Sequence, residues 1–187
     1  MNINAQSQHA VGQGSLQFLK LISNSTSTLS MVLIALGLLL TLPSAKATTT
    51  DQDFILAAVQ GGMTEVKLGE LAATNGIRLD VKDFGQMMVK DHTAINDDLK
   101  VLAALKGVTL PDSLDAKHQA IVNKMSTLNG AKFDNAYIAG MIKAHTKDAK
   151  AFKAESAATS DADIKIFLDK SIPMVDAHLQ HITAMKK

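Results

Sequence analysis

Four helix-forming segments of nearly equal length follow one another from residue 51 to the end of the chain. They cover about 51–74, 80–106, 132–157 and 161–185. Ala, Leu, Lys, Asp and Met dominate them, and strand-forming residues never alternate with polar ones. At 1.5 Å per residue each helix would be about 36 to 39 Å long, so the four can pack side by side. The sequence therefore predicts an all-α bundle, with a kink or short break at Pro173 in the last helix.

The connections between these segments differ in length, and that difference predicts the topology. Only a few residues separate the first two segments or the last two, as is typical of antiparallel hairpins. About 25 residues separate Gly107 from Lys132, including a short helix that opens at Pro111 and Asp112. This stretch is long enough to run back along the bundle. The predicted fold is a ferritin-like four-helix bundle, up-down-down-up, with a long crossover that contains the short helix.

The first fifty residues have a different character, because they contain no Asp or Glu. Residues 31–42 form an uncharged run of twelve that is apolar except for Thr41, too short for a bilayer anchor of about 20 residues. Ala45 and Ala47 then occupy the small-residue positions of an export-signal cleavage site. We predict a signal peptide over 1–47, cleaved after Ala47, and a domain over 48–187 in the periplasm or another extracytoplasmic space. Cleavage would leave no stable membrane span; an uncleaved membrane tether is the alternative.

Composition and the absence of known motifs argue against several classes of function. From residue 51 onward, 17 Lys and Arg face 18 Asp and Glu, so the net charge of −1 offers no electrostatic basis for binding nucleic acid. Cysteine is absent, which excludes thiolate metal sites and a Cys nucleophile. The sequence also has no recognisable Ser-His-Asp arrangement or Gly-rich phosphate loop. An enzyme is therefore not indicated.

Helical periodicity turns ionisable side chains from all four long helices toward the interior. These residues are Glu65, Asp91, His92, His145, Asp148 and His178. Glu65 lies thirteen residues before Arg78 and His92 fourteen after it, so in an antiparallel hairpin they lie at one level. His145 and His178 are offset by about 6 Å in the second hairpin. An unpaired buried carboxylate costs several kcal/mol, so these groups must satisfy one another, surround a cation or reach solvent.

Two further patterns accompany these residues. Met88, Met141 and Met174 each precede a histidine by four residues, which places Met and His one turn apart on the same face. The methionines either fill gaps in an aromatic-poor core or add thioether ligands suited to copper. The inward stripe of the first helix is composed of small residues, which suggests that room has been left opposite the ionisable groups. These small residues are Ala58, Gly61, Gly62, Gly69 and Ala72.

The segments "DFILAAVQGGMTEVKLGELA", "VKDFGQMMVKDHTAINDDL", "FDNAYIAGMIKAHTKDAKAF" and "IPMVDAHLQHI" resemble the bacterial domain of unknown function number 4142. The resemblance covers about residues 51–185. It implies an exported protein with a ferritin-like fold, and it implies no secure biochemical activity. The family's recurrent positions correspond here to Glu65, Asp91, His92, Phe133, Asp134, Tyr137, His145 and His178.

The ionisable set departs from that of di-iron ferritins, which carry Glu-x-x-His on two helices. Val89 and Val175 stand three residues before His92 and His178. What remains is one Glu and three His with two nearby Asp, a set compatible with one transition metal ion such as Fe, Zn, Mn or Cu. The alternative is a stress-related structural or interaction module of the cell envelope, whose Glu, His and Asp form a polar network without metal.

Overall fold

Five helices make up the part of the chain that the structure, a computed structural model, describes, which is residues 49–186. They are α1 (Thr49–Asn75), α2 (Leu79–Lys106), α3 (Ala116–Ser126), α4 (Gly130–Ala158) and α5 (Ala162–Ala184). Residues 49–186 contain no strand, so the all-α prediction is confirmed. The predicted signal peptide lies outside the described residues.

Contacts at the helix ends establish the direction of each long helix. At one end of the bundle, the Asp134 carboxylate at the start of α4 accepts hydrogen bonds from the backbone N–H groups of Ile77 and Arg78, between α1 and α2. At the other end, Lys106 in the last turn of α2 lies 2.6 Å from both Asp161 and Asp163, next to the connection between α4 and α5. Helices α2 and α4 therefore run parallel, and α1 and α5 run opposite to them. The predicted up-down-down-up connectivity is confirmed.

The crossover that contains α3 packs along α1. The amide of Gln60 both donates to the carbonyl oxygen of Ser113 and accepts from the backbone N–H of Asp115. Asp115 then caps α3 by accepting from the backbone N–H of His118. Near the far end of α1, Asn75 donates to the carbonyl oxygen of Leu128. These bonds hold the crossover along α1, and Met125 of α3 is buried in the apolar core near the end of α1.

The interior consists of two apolar layers with a polar layer between them. Phe152, Leu99 and Ile164 are among the buried residues of the layer at the start of α1, and Phe84 and Tyr137 belong to the layer near its end. On each long helix, one ionisable residue falls between the two apolar groups. These four residues are Glu65, His92, His145 and His178, and all are buried. Hydrophobic packing on both sides therefore holds the polar layer away from the helix ends.

Most of the small-residue stripe on α1 serves close helix contact. A Cβ atom on Gly69 would lie 2.5 Å from the carbonyl oxygen of Gly85 on α2, and one on Gly62 would lie 2.3 Å from the Asn96 side chain. Gly61 differs, since a Cβ atom there would meet nothing within 4 Å. The expectation that the glycines leave room therefore holds at Gly61 and is wrong at Gly69, whereas Gly62 lines a cavity together with Gly61 and also meets the Asn96 side chain.

Helix α5 continues without a break through Pro173, so the predicted break is wrong. Pro173 is exposed, which places its ring on the outer face of the helix. No helix among residues 49–186 combines the length and apolar character needed to cross a membrane.

Candidate metal centre

Three histidines from three helices meet in the polar layer and form the histidine cluster. His92 comes from α2, His145 from α4 and His178 from α5. Their ring centroids are 5.4 to 5.6 Å apart, and each ring offers one nitrogen within 4.8 Å of those of the other two. The side chains are at most 5% exposed. The cluster therefore brings together three imidazoles that solvent barely reaches.

The ring of His145 has a defined tautomer. Its Nδ1 lies 3.1 Å from the carbonyl oxygen of Met141, one turn earlier on α4. A carbonyl oxygen only accepts, so Nδ1 must carry the proton and donate it in this contact. The lone pair then lies on Nε2, a buried atom with no hydrogen-bond partner. His145 thus presents an unused acceptor to the interior.

His178 also has one nitrogen that donates a hydrogen bond and one without a partner, but here Nε2 is the donor and Nδ1 is unpartnered. Its Nε2 lies 3.0 Å from Oδ2 of Asp91 on α2 and donates to that carboxylate. Its Nδ1 is buried and has no hydrogen-bond partner. Asp91 is half-buried, with 27% of its side chain exposed. The structure therefore places Asp91 beside one histidine, at the edge of the cluster.

Glu65 on α1 contacts the other two histidines. Its Oε2 lies 3.0 Å from Nδ1 of His92, and its Oε1 lies 3.4 Å from Nδ1 of His145. Nε2 of His92 is buried without a hydrogen-bond partner. Each ring of the cluster therefore has one nitrogen directed at an oxygen and one that nothing satisfies.

Burial also determines the charge state of the rings. Burial, together with the neighbouring charges of His145 and His178, lowers the pKa of His92 to about 3. Burial likewise lowers the pKa of His145 to about 4, and it lowers the pKa of His178. All three imidazoles are consequently neutral near pH 7, the form in which histidine binds metals.

The Glu65 carboxyl group lies in an environment that opposes its ionisation. Burial raises its pKa well above the ordinary value, and the negative charge of Asp148 raises it further. Burial also raises the pKa of Asp148 itself. A positive charge placed between these groups would favour their ionised forms, so the local electrostatics suit a cation.

A cavity of about 100 Å³ lies between α1 and α4 and borders the histidine cluster. Gly61 and Glu65 line it on α1, and His145 and Asp148 line it on α4. Exposed Lys147 is also part of the lining, so the cavity reaches the protein surface. Asp148 is half-buried, and the structure places it along this cavity rather than within the histidine cluster.

Asp134 and Tyr137, two of the family's recurrent positions, lie outside the histidine cluster. Asp134 is buried and caps the turn between α1 and α2, as its contacts with Ile77 and Arg78 show. Tyr137 stacks on Phe133 with ring centroids 5.5 Å apart, and its buried hydroxyl has no hydrogen-bond partner. The sequence analysis did not predict the hydrogen bond from Nδ1 of His145 to the carbonyl oxygen of Met141. The four-residue spacing of these two residues on one helix could have indicated it.

Comparisons with known proteins agree with this architecture. The family model described as "Domain of unknown function (DUF4142)" matches residues 40–185, which confirms the resemblance found in the sequence. A search of curated proteins gave no significant match. A DUF305 fragment from Deinococcus radiodurans is similar in structure, with a TM-score of 0.65 at 11% identity, covering 75% of this chain and 97% of that one. The Cu(I)-bound form of CopM has a TM-score of 0.62 at 16% identity, covering 74% and 96%.

Proposed function

We propose that this chain, which belongs to the DUF4142 family, binds a single transition metal ion through His92, His145 and His178. One observation carries the proposal. Three buried ring nitrogens from three different helices lack hydrogen-bond partners and belong to rings whose potential ligand atoms lie within 4.8 Å of one another. A polar network that satisfied itself would leave no such set of unused acceptors in one place.

Energetics support a bound ion. A buried polar atom without a partner costs about 1 to 3 kcal/mol, and the cluster contains three. Metal–imidazole bonds of about 2.0 to 2.1 Å in a tetrahedral site put the nitrogens about 3.4 Å from one another. Small rotations of the rings bring atoms within 4.8 Å to that spacing. An ion would thus remove the cost of the unused acceptors with little rearrangement.

The oxygen atoms around the cluster have a supporting role in this proposal. Metal-binding histidines usually donate their second N–H to a carboxylate or a backbone carbonyl, which orients the ring. Asp91, Glu65 and the Met141 carbonyl provide such acceptors for the three rings. Three imidazoles leave a fourth tetrahedral position open. Direct metal binding by Glu65, Asp91 or Asp148 stays a prediction from the sequence.

Copper and zinc are the first ions to test. Neutral imidazole suits both, whereas Mn and Mg sites are usually richer in oxygen ligands. The similar bundle of CopM has a Cu(I)-bound form, which gives copper priority. Iron and manganese, which the sequence also admits, belong in the same panel.

The decisive experiment measures metal content. Protein purified without an affinity tag is stripped with a chelator, loaded with Cu(I), Zn²⁺, Fe²⁺ or Mn²⁺ in turn, desalted and analysed by mass spectrometry of the elements. We expect one ion per chain for at least one metal. Binding should raise the free energy of unfolding by about 2.7 kcal/mol at a ligand concentration 100 times Kd.

Single histidine replacements provide the controls. His92→Leu, His145→Leu and His178→Leu should each lose the bound ion and the thermal stabilisation by metal. His181→Leu is the matched control, because His181 is exposed and lies one turn from His178 on α5. Absence of stoichiometric metal, with an unchanged melting temperature for every ion, would contradict the proposal and favour a structural module with a metal-free polar network.

We also propose that the protein is exported and acts in the periplasm. The apolar run at 31–42 and the small residues Ala45 and Ala47 support this location. N-terminal sequencing of the protein from a periplasmic extract should begin at Thr48. Recovery of the uncleaved chain with the membrane fraction would instead favour a membrane tether.

A further inference from the structure

The cavity between α1 and α4 borders the histidine cluster and reaches the protein surface beside Lys147. It has a volume of about 100 Å³, and its lining includes both Glu65 and two of the three histidines, His92 and His145. At about 30 Å³ per water in the liquid, this is room for roughly three waters. The cavity is therefore large enough to admit a metal ion with a few of its waters.

Small residues on α1 keep this cavity open. Gly61 lines it, and a Cβ atom at that position would meet nothing within 4 Å. Ala57 and Ala58 line the same side of it. By contrast, the α1/α2 contact is closed, because the backbones of Gly69 and Gly85 approach so closely that neither position has room for a methyl group. The missing side chain at Gly61 is thus an opening that helix packing does not require.

Asp148 is the carboxylate at the outer part of the cavity. It is half-buried and stands next to exposed Lys147, whereas Glu65, further in, is buried. On the other side of the cluster, Asp91 lies 3.0 Å from Nε2 of His178 and so occupies the contact between α2 and α5. Asp91 is thus engaged by His178, whereas Asp148 lies along a cavity that reaches His92 and His145.

We propose that metal ions reach the histidine cluster through the α1/α4 cavity, that the absent side chain at Gly61 keeps this route open, and that Asp148 attracts the ion at its outer end. This inference rests on the proposed metal binding and adds the path and the residues that govern its rate. Asp148 acts here as a positioning residue on the route and not as a ligand in the final site. Its charge accelerates uptake, while the depth of the cluster determines affinity.

The test is the rate of metal uptake measured apart from the amount taken up. The chelator-stripped protein is mixed with Co²⁺ in a stopped-flow spectrometer, and the visible absorption of tetrahedrally bound cobalt is followed. Gly61→Leu fills the route, and we expect uptake and chelator-driven release to slow by the same factor, about tenfold or more, with one ion per chain still bound at equilibrium. Gly140→Leu is the matched control, since Gly140 is also helical and open but lies exposed on α4, outside the cavity lining.

The Asp148 charge is tested in the same way. Asp148→Asn should slow uptake about threefold or more at low ionic strength, and the difference should shrink at about 1 M salt, where the Debye length falls to about 3 Å. Asp169→Asn, an exposed position on α5, makes the same change in net charge and should leave the rate unchanged.

The outcomes separate this inference from the proposed function. Uptake by Gly61→Leu at the wild-type rate and stoichiometry overturns the route while leaving metal binding intact. If Gly61→Leu cannot bind one ion per chain, the comparison of Asp148→Asn with Asp169→Asn decides, and equal rates overturn the route. No ion uptake by the wild-type protein, with Co²⁺ or any metal of the loading panel, overturns both the proposed function and the route.

Discussion

Nδ1 of His145 donates a hydrogen bond to the carbonyl oxygen of Met141, 3.1 Å away and one turn earlier on α4. The repeated Met-x-x-x-His spacing thus has a structural consequence at this position that does not involve sulfur. The backbone of Met141 orients the imidazole, and its side chain packs in the apolar layer beside the cluster. Met174, in the third repeat, packs in the opposite apolar layer.

The first prediction follows from that contact. Met141→Leu keeps the carbonyl and a side chain of similar volume, so we expect metal affinity to change by less than about threefold and stability by less than about 1.5 kcal/mol. Competition titration with a chelator of known affinity measures the first quantity, and thermal unfolding the second. A loss of Cu(I) affinity of tenfold or more, with Zn²⁺ affinity retained, would show that the thioether is a copper ligand after all.

The second prediction concerns Asp91, which orients His178 from the neighbouring helix. Asp91→Ala removes the acceptor of the Nε2 proton, and we expect metal affinity to fall by about 10- to 100-fold. Asp91→Asn keeps an acceptor oxygen and should lose less. Competition titration of both variants against the wild type checks the order. Equal affinity of Asp91→Ala and wild type would remove Asp91 from the metal centre.

Helical periodicity was sufficient to predict the bundle and the polar layer, because four-residue spacing places residues on one face whatever their neighbours are. Counting residues from the turn placed Glu65 and His92 at one level, and in the structure Oε2 of Glu65 lies 3.0 Å from Nδ1 of His92. The same counting left His145 and His178 offset by about 6 Å, yet their ring centroids are 5.4 Å apart. Backbone periodicity carries no information about how each side chain is directed from its helix, and that direction decides where the ring lies.

Features that depend on how closely one helix approaches another could not be predicted from the sequence. Asp134 caps a turn 57 residues away from it along the chain, a contact with no local pattern. Gly61 and Gly69 look equivalent in the small-residue stripe, but one borders a cavity and the other touches a backbone. Asp148 and His145 lie three residues apart on α4, so periodicity placed both on the inward face. It could not show that His145 joins the histidine cluster while Asp148 only lines the cavity.

The third prediction concerns pH and a group far from the histidines. Burial, together with a hydrogen bond to Asp51 and the charge of that residue, raises the pKa of Glu155 from 4.5 to about 7. The folded protein therefore holds a proton that the unfolded chain has lost between about pH 4.5 and pH 7, so this group's contribution to stability falls as pH rises through that window. One proton limits the slope to about 1.4 kcal/mol per pH unit.

Glu155→Gln tests this assignment. Denaturant unfolding at several pH values should show that the variant gains stability relative to wild type as pH rises from about 4.5 to 7. Glu70→Gln is the control, because Glu70 is exposed on α1 and pairs only with Lys67 within the contacts described. A constant difference between Glu155→Gln and wild type across the window would show that Glu155 does not titrate there.

The fourth prediction uses the two kinds of glycine to test the close α1/α2 contact. Gly69→Ala places a methyl carbon 2.5 Å from the carbonyl oxygen of Gly85, so the helices must separate. We expect a loss of about 1 to 3 kcal/mol from overpacking, even though alanine favours the helix by about 1 kcal/mol. Gly140→Ala is the control in open space and should stabilise the protein by up to about 1 kcal/mol. Both changes are measured by denaturant unfolding of the metal-free protein, and stabilisation by Gly69→Ala equal to that of Gly140→Ala would contradict the close approach of these two helices.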